Sequence, residues 1–249
     1  MTYNPFSLEG KTVLVTGASS GIGKSAAIEC SKMGAKVIIT ARNQERLSQT
    51  LDELEGEGHQ MILCDLNNEA EIDQMISDLP EIQGLINNAG FTKILPVQFI
   101  NATDINSILQ VNTIAPMILL QTLLKKKKLK KGASVVFTSS LAGLGVCTVG
   151  NSMYSGSKGA ISAFIKCAAL ELAAKQIRVN AVCPGMVDTG ILDSGTVTQE
   201  QLEADMKNYP LGRYGKPEDI AWAMIYLLSD ASSWVTGDNF IIDGGLTIR

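Results

Sequence analysis

The sequence predicts an α/β fold, a doubly wound parallel sheet with helices on both faces, formed by one domain of 249 residues. Three observations predict it. Short β-branched runs alternate with longer helical stretches along the whole chain. The runs are apolar throughout instead of alternating with polar residues, as expected for strands covered on both faces. No linker or shift in composition divides the chain, and parallel strands joined through helices require right-handed crossovers.

Seven runs are the predicted strands: residues 12–16, 36–40, 60–64, 84–87, 134–138, 178–183 and 239–242. Six helices are predicted between them, at residues 21–33, 45–54, 69–79, 104–129, 155–175 and 217–228. Because these elements use most of the chain, we interpret residues 1–249 as a single domain. Residues 188–209 are the exception, and we expect them to form a lid over a substrate.

Composition excludes several function classes. The formal net charge is −4, so nothing indicates nucleic acid as a partner. Residues 1–11 lack the apolar core of a signal peptide. The longest apolar run, residues 115–124, contains Pro116 and Gln121 and is too short to span a bilayer. We therefore expect a cytoplasmic protein that does not contact membranes.

The five cysteines are scattered and include no Cys-x-x-Cys pair, which is typical of reduced thiols. The single histidine, His59, excludes His-rich metal sites, and no metal is expected. A Ser-His-Asp triad would need His59 as its base, but its place after Gly58 indicates a surface turn. Acid–base chemistry in this chain should therefore use another residue type.

A glycine-rich turn, Thr16-Gly17-Ala18-Ser19-Ser20-Gly21-Ile22-Gly23, joins the first predicted strand to the first predicted helix. Glycines let the backbone approach a phosphate closely, and a helix N-terminus offers unpaired N–H groups and a positive dipole end. The strand–turn–helix context favours a nucleotide site over a merely flexible loop.

Tyr154 and Lys158 are four residues apart in a predicted helix, and so share one face. A free phenol has a pKa of about 10 and exchanges protons poorly at neutral pH. A nearby ammonium group favours the phenolate and lowers that pKa. The pair therefore predicts a tyrosine that acts as an acid or base.

These motifs together resemble those of the short-chain dehydrogenase/reductase family, in order over nearly the whole chain. The matching positions are residues 16–23, Asp65, residues 87–90, Asn112, Ser140, Tyr154, Lys158, and residues 184–185, 210–213, 217–219 and 243–245. The resemblance implies a Rossmann fold with a seven-stranded parallel sheet, and hydride transfer between a nicotinamide and a carbonyl or secondary alcohol. The C-terminal motifs look most like those of 3-oxoacyl-(acyl-carrier-protein) reductases.

By the same resemblance, Asn112, Ser140, Tyr154 and Lys158 are the catalytic residues. Tyr154 would be the proton donor or acceptor, Lys158 would lower its pKa and bind the nicotinamide ribose, and Ser140 would donate to the substrate oxygen. Ser140 begins the tetrapeptide Ser-Leu-Ala-Gly, although a capping serine is the alternative. The implied cofactor-binding residues are Gly17, Ser19, Ser20, Gly21, Ile22, Gly23, Arg42, Asn43, Asp65, Leu66, Asn88, Ala89, Gly90, Tyr154, Lys158, Pro184, Gly185, Val187 and Thr189.

Asn112 also has a local argument. In a regular helix its carbonyl would accept a bond from the N–H of residue 116, but Pro116 has no N–H. A buried free carbonyl needs another partner, such as water. The sequence thus predicts a helix distorted at Asn112 with an ordered water nearby.

The end of the second strand favours NADP(H) over NAD(H). NAD-selective relatives usually place an acidic residue there, and this chain has Ala41 followed by Arg42. The arginine fork suits a 2′-phosphate, although an ordinary surface arginine is the alternative. Ser20 departs from the pattern, since many NADP-binding relatives have a basic residue in the glycine turn.

The predicted substrate-side residues are apolar: Ile94, Leu95, Val146, Cys147, Met153, Met186, Ile191 and Leu192. Such a surface suits an acyl chain or a ring system. A 3-oxoacyl thioester, free or bound to a carrier protein, is the first expectation. A steroid, a sugar or another small alcohol is the enzymatic alternative, and an NADP-sensing protein without catalysis is the alternative from another class.

Two helical stretches bear on partners. Residues 160–174 are apolar nearly all round, which indicates a second subunit on one face unless the helix is fully internal. Family resemblance suggests a homotetramer. Residues 125–131 contain six lysines, which we interpret first as a solvated helix end. The alternative, with Lys175, is docking of an acidic carrier protein.

Overall fold

The protein is described by a computed structural model that covers residues 3–189 and 199–249. Within these residues, seven parallel strands form one sheet in the order β3-β2-β1-β4-β5-β6-β7. The strands are β1 Thr12–Thr16, β2 Lys36–Ala41, β3 Gln60–Leu63, β4 Ile82–Asn87, β5 Leu129–Thr138, β6 Arg178–Pro184 and β7 Asn239–Ile242. The predicted fold class is confirmed. The chain order reverses between β1 and β4, and a ligand crevice is expected beyond the carboxyl ends of the strands there.

The described helices are α1 Gly21–Lys32, α2 Gln44–Asp52, α3 Glu69–Asp78, α4 Ala102–Leu109, α5 Ala115–Lys125, α6 Ser152–Leu172, α7 Gln199–Met206 and α8 Pro217–Leu228. A π-helical segment, Gln110–Ile114, joins α4 to α5. A short 3₁₀ turn, Leu141–Leu144, follows β5. Part of the predicted lid, residues 190–198, lies outside the described residues, as do Ile191 and Leu192.

The core has two layers, one on each face of the sheet. Successive strand residues point to opposite faces. Leu14 belongs to the layer under α3, α5 and α6, and its neighbour Val15 belongs to the layer under α1 and α8. Both side chains are fully buried, which explains why the strand sequences are apolar throughout.

The predicted helix at residues 104–129 is wrong at its end, because α5 stops at Lys125 and β5 begins at Leu129. Tertiary contacts override the helical pattern. The Lys126 ammonium lies 2.7 Å from Asp73 Oδ2 and 2.6 Å from Ser77 Oγ. Lys128 donates to the carbonyls of Ser77 and Leu79. Lys128 therefore binds carbonyl groups at the end of α3 that lack a donor within that helix, and Lys126 binds side chains of the same helix.

The helical stretch Ala102–Lys125 is longer than the apolar run that the sequence suggested. Its 24 residues are, by length and composition alone, enough to cross a membrane. Half of the most apolar part of this stretch is buried inside the protein, however. α4 contacts α6, and α5 contacts α3. A core helix has these same properties.

Helix α6 presents one buried and one exposed face. Ile161, Ile165 and Leu172 pack into the core, while Cys167 is exposed and Leu170 is 80% exposed. The alternative of a fully internal helix is therefore wrong.

Candidate active site

A cleft of about 870 Å³ opens at the carboxyl ends of the central strands. Most of the predicted cofactor-binding residues line it: Gly17, Ser19, Ser20, Gly21, Ile22, Arg42, Asn43, Asp65, Leu66, Asn88, Ala89, Gly90, Tyr154, Lys158 and Thr189. Thr40, Arg46 and Thr138 also line it, and sequence reasoning did not find them. The glycine turn and the tyrosine–lysine pair therefore face one cavity.

The glycine turn is shaped by positions that only glycine can occupy. Gly17 has φ +66°, and a Cβ there would lie 2.8 Å from the Cα of Ala89. Gly21 also has a positive φ, of +54°. Ser20 precedes α1, and its side chain does not cap that helix. The first N–H groups of α1 are thus available to an anion in the cleft. Gly23 does not line the cleft but packs against the Gly17 carbonyl.

The β2 end of the cleft is positively charged. Arg42 and Arg46 are both exposed there, and among the described residues neither joins an ion pair. Asn43 Oδ1 accepts a bond from the Arg46 N–H at 2.9 Å and so begins α2. Thr40 is buried, and its hydroxyl has no hydrogen-bond partner among the described residues. A cation in the first turn opposes the helix dipole, and that was the only sequence signal for Arg46.

Asp65, at the cleft, is held by its own loop. Its Oδ1 accepts bonds from the backbone N–H of Asn67 at 3.0 Å and from the Asn67 side chain at 2.8 Å. The Asp65 backbone N–H donates to Glu71 at 2.8 Å. The loop after β3 is therefore fixed, with Asp65 at the cleft as predicted.

Tyr154 and Lys158 lie on one face of α6, as predicted, but their electrostatics differ from the expectation. Burial raises the pKa of Tyr154, and the adjacent Ser140 hydroxyl only partly offsets this. The Lys158 ammonium lies 5.7 Å from the centre of the tyrosine ring and donates to the Thr138 carbonyl at 2.6 Å. It therefore sits over the ring and not at the phenol oxygen. Burial lowers the pKa of Lys158 from 10.5 to about 8.

Ser140 has the capping role that the sequence offered as the alternative, and its donation to a substrate oxygen stays a prediction. Its Oγ accepts a bond from the Ala142 N–H at 3.2 Å, and so it caps the 3₁₀ turn. A hydroxyl that accepts through oxygen keeps its own proton free to donate. Because the Ser140 hydroxyl also acts on the Tyr154 phenol, both groups are directed to one place, where a substrate oxygen would bind.

The predicted distortion at Asn112 is confirmed. The Ala115 N–H donates to Gln110 O, one residue beyond the α-helical acceptor, and Pro116 offers no N–H. The carbonyls of the π-helical segment thus lose the N–H donors that they would have in an α-helix. The ordered water near Asn112 stays a prediction. The Asn112 side chain donates to Phe91 O at 2.9 Å and to Ser157 Oγ at 3.1 Å. It therefore ties the segment after β4 to α6.

Other predicted residues lie beside the cleft. Pro184 ends β6, and Gly185 and Val187 follow it. None of the three lines the cavity, and the Gly185 N–H donates to Ile242 O at 3.0 Å. On the substrate side, Leu95 donates to Gly150 O at 2.8 Å, which joins the loop containing Ile94 and Leu95 to the loop containing Val146 and Cys147.

His59 has a structural role. Its Nδ1 accepts a bond from the Val37 N–H at 3.0 Å. Its Nε2 lies 2.9 Å from the Glu55 carbonyl oxygen. In the part of the chain that is described, no group of three or more His, Cys, Asp or Glu residues could hold a metal ion.

The cleft residues fit a nicotinamide dinucleotide. The glycine turn brings its backbone to the cleft at positions where a Cβ would clash, the start of α1 offers N–H groups, and Thr40, whose buried hydroxyl has no partner among the described residues, lines the cleft. Arg42 and Asp65 would hold the adenosine half, and Lys158 and Tyr154 would meet the nicotinamide half. When bound, such a cofactor supplies a hydride.

Comparison with known proteins agrees with this site. The family described as Enoyl-(Acyl carrier protein) reductase matches residues 17–247. The chain is 34% identical to the 3-oxoacyl-(acyl-carrier-protein) reductase FabG of Rickettsia prowazekii over 96% of this chain and 98% of that protein. It is 33% identical to a tropinone reductase homolog of Arabidopsis thaliana, over 100% of this chain and 96% of that protein.

A solved structure supports the same assignment. The Pseudomonas aeruginosa RhlG/NADP active-site complex superposes with a TM-score of 0.90 at 30% identity, covering 98% of this chain and 99% of that chain. With its seven-stranded parallel sheet, its glycine turn and its Ser140, Tyr154 and Lys158, the chain belongs to the short-chain dehydrogenase/reductase family of NAD(P)-dependent oxidoreductases.

Proposed function

We propose that this enzyme reduces the carbonyl of a 3-oxoacyl thioester to a 3-hydroxyacyl product with NADPH. The observation that carries the proposal is that Tyr154, Lys158 and the glycine turn line one cleft, so a protonated phenol stands beside the place for a nicotinamide. The similarity to a 3-oxoacyl-(acyl-carrier-protein) reductase over 96% of the chain supports the substrate class.

The chain's own residues have separate tasks in this reaction. The Ser140 hydroxyl, whose oxygen is already engaged by Ala142, donates to the substrate carbonyl oxygen. Tyr154 transfers its proton to that oxygen as negative charge develops on it. The Lys158 ammonium, 5.7 Å from the tyrosine ring centre, stabilises the phenolate that remains. Asn112 fixes the segment after Gly90 beside them.

The substrate class is tested with a panel of carbonyl compounds, each followed by NADPH absorbance. The panel should include a 3-oxoacyl thioester, a steroid ketone, a keto sugar and tropinone. We expect the thioester to have the highest kcat/KM. Faster turnover of one of the other ketones would replace the substrate proposal and leave the family assignment intact.

The same panel tests the non-catalytic alternative. Tyr154→Phe removes the proton donor but keeps the ring, so it should abolish turnover while the dissociation constant of NADPH changes little. Equal turnover by wild type and variant would remove Tyr154 from the mechanism. If no compound in the panel is turned over although NADPH binds, the sensor alternative is favoured.

The NADPH preference is supported by Arg42 and Arg46 at the β2 end of the cleft, neither of which forms an ion pair within the part of the chain that the structure describes. Charge-assisted bonds to a 2′-phosphate are worth about 1.5–3 kcal/mol each, or roughly 10- to 100-fold in kcat/KM. Arg42→Ala and Arg46→Ala should each reduce the NADPH/NADH ratio, and the double variant should reduce it most. Lys36→Ala is the matched control, an exposed cation at the other end of β2. An unchanged ratio in the double variant would contradict this part of the proposal.

Docking of a carrier protein at the lysine-rich turn needs a second subunit. Residues 125–131 precede and begin β5, and the active site lies at its other end, at Thr138. Ten strand residues span about 30 Å. Lys126 and Lys128 are moreover already engaged at the end of α3. We propose that Lys127, Lys131 and Lys175 serve a neighbouring subunit's site. Equal turnover of carrier-bound and free thioesters would contradict this.

We further propose a homotetramer in the cytoplasm. Leu170 on α6 is 80% exposed, and Trp234 next to β7 is 99% exposed. Large exposed apolar side chains suit contacts between subunits, and the family resemblance suggests four of them. Light scattering should give four times the chain mass, and Leu170→Glu should lower it. A monomer in the wild type would contradict the assembly.

A further inference from the structure

A chain of hydrogen bonds crosses the carboxyl edge of the sheet, from the catalytic lysine to the glycine turn. Lys158 Nζ donates to the Thr138 carbonyl oxygen at 2.6 Å. The Thr138 hydroxyl donates to Asn88 Oδ1 at 3.1 Å. Asn88 Nδ2 lies 3.4 Å from the carbonyl oxygens of both Thr16 and Gly17. Thr138 is therefore bonded directly to Lys158 and, through the Asn88 side chain, to the glycine turn.

The direction of these bonds follows from the groups involved. The carbonyls of Thr16 and Gly17 can only accept, so the Asn88 amide must turn its NH₂ group to them. Its Oδ1 then faces Thr138, whose hydroxyl must donate. The threonine hydroxyl is thus the group that satisfies the amide in this orientation. A valine would fit the strand equally well but could not do so.

The Asn88 backbone strengthens the connection. The N–H groups of Asn88 and Ala89 both donate to Thr16 Oγ1, at 3.0 and 3.1 Å. The segment after β4 is therefore bonded to the end of β1 through both backbone and side chain. A displacement of Asn88 would also displace Gly17, because the two segments pack so closely that a Cβ at Gly17 would clash with Ala89.

We propose that Thr138 is a positioning residue that couples the glycine turn to the catalytic lysine. Its carbonyl holds the Lys158 ammonium, and its hydroxyl fixes the Asn88 amide against Gly17. All four residues line the cleft. The inference rests on the nicotinamide-dependent activity of the family, and not on the substrate or on the choice between NADPH and NADH.

The test measures cofactor binding by the fluorescence of the reduced nicotinamide, with both NADPH and NADH. Thr138→Val keeps the shape and the carbonyl but removes the hydroxyl. Its dissociation constant for the tighter-binding cofactor should rise about tenfold, which corresponds to about 1.4 kcal/mol. Thr138→Ser restores the hydroxyl and should stay within about threefold of wild type, since hydrogen-bond donation is what the site needs.

Thr122→Val is the matched control. Thr122 is a buried threonine on α5 whose hydroxyl bonds to the neighbouring Gln121, away from the cleft. This variant should lose some stability to urea without any change in cofactor binding. Should Thr138→Val fail to fold, Thr138→Ala against Thr138→Ser repeats the comparison with a pair that differs by one oxygen atom.

A double-variant cycle tests the route through Asn88. In an Asn88→Ala background the Thr138 hydroxyl has no Oδ1 to bind, so Thr138→Val should add less than about twofold to the dissociation constant. Wild-type affinity in Thr138→Val would overturn the proposal. Equal losses in the serine and valine variants would assign the effect to packing and overturn it too, and an undiminished loss in the Asn88→Ala background would exclude the route.

Discussion

Replacing Lys158 with methionine should stabilise the cofactor-free protein at neutral pH while abolishing catalysis. The lysine side chain is 4% exposed, and burial lowers its pKa from 10.5 to about 8. Among the described residues no carboxylate forms an ion pair with it. A buried ammonium without a counter-charge is a destabilising group.

The sign and the pH range follow from linkage. The unfolded chain keeps the Lys158 proton up to about pH 10.5, but the folded protein keeps it only up to about pH 8. Between these values the unfolded state binds more protons, so the stability of the wild type rises with pH. Below about pH 8 the buried ammonium destabilises the folded protein by its full amount. The difference between the folded and unfolded pKa of Lys158 corresponds to about 3 kcal/mol of unfolding free energy. The penalty falls to about 2 kcal/mol near pH 9 and vanishes above pH 10.5.

Methionine also removes the hydrogen bond to Thr138. Leaving that carbonyl without the lysine donor costs about 1–3 kcal/mol, which offsets part of the gain. This term does not depend on pH. The test therefore compares the unfolding free energies of Lys158→Met and wild type at two pH values. The change in their difference between these pH values is the predicted quantity, and its value at one pH is not.

Urea unfolding at about pH 7 and at about pH 10 measures this quantity. The nearby Cys183 and Tyr154 do not interfere, because burial raises the pKa of Cys183 to about 11 and also raises that of Tyr154. Lys166→Met is the matched control, since it removes an exposed lysine from the same helix. From about pH 7 to about pH 10, the unfolding free energy of Lys158→Met relative to wild type should fall by about 2–3 kcal/mol, and that of Lys166→Met should not change. A difference for Lys158→Met that is the same at both pH values would refute the reasoning.

Three glycine substitutions give further predictions. Gly17→Ala forces an alanine into a positive φ, 2.8 Å from Ala89 Cα, so the dissociation constant for NADPH should rise more than about tenfold; a titration showing wild-type affinity would contradict this. Gly143→Ala places a Cβ 2.6 Å from the Lys158 carbonyl carbon and should lower kcat, because it pushes the turn after the catalytic serine away from α6. Gly156→Ala, in the same helix but with open space around it, should instead raise the unfolding free energy by about 0.5–1 kcal/mol, and a measured loss would show that its surroundings are not open.

The strands and the glycine turn could be predicted from sequence because their causes are local or periodic. An apolar run such as residues 36–40 has few alternatives to a strand buried on both faces, and β2 extends it by one residue. The function of the turn from Gly17 to Gly23 could be predicted because each of its glycines occupies a position where a Cβ would lie too close to neighbouring atoms.

The remaining features depend on where the ends of long side chains go. The spacing of Tyr154 and Lys158 fixes their Cα positions, but it does not decide that the ammonium turns to Thr138. For the same reason the sequence could not assign the lysines after α5. In the structure α5 ends at Lys125 and the lysines after it bind α3, about 50 residues away in sequence: Lys128 supplies a donor to the Ser77 carbonyl, and Lys126 pairs with the Asp73 carboxylate. Arg46 belongs to no motif, and only the shape of the cleft includes it.

The polarity of the fold explains why charges are satisfied at one edge and left available at the other. Each crossover helix runs antiparallel to the strands, so helix C-termini gather at the amino edge of the sheet and N-termini at the carboxyl edge. At the amino edge the chain supplies its own cations: Lys11 donates to Leu228 O at the end of α8, and Lys128 donates to Ser77 O at the end of α3. At the carboxyl edge, among the described residues, no carboxylate forms an ion pair with the buried Lys158, and the Thr40 hydroxyl has no partner. A substitution that removes such a group at the carboxyl edge should therefore gain stability and lose function, while at the amino edge the same kind of substitution can only weaken a helix end.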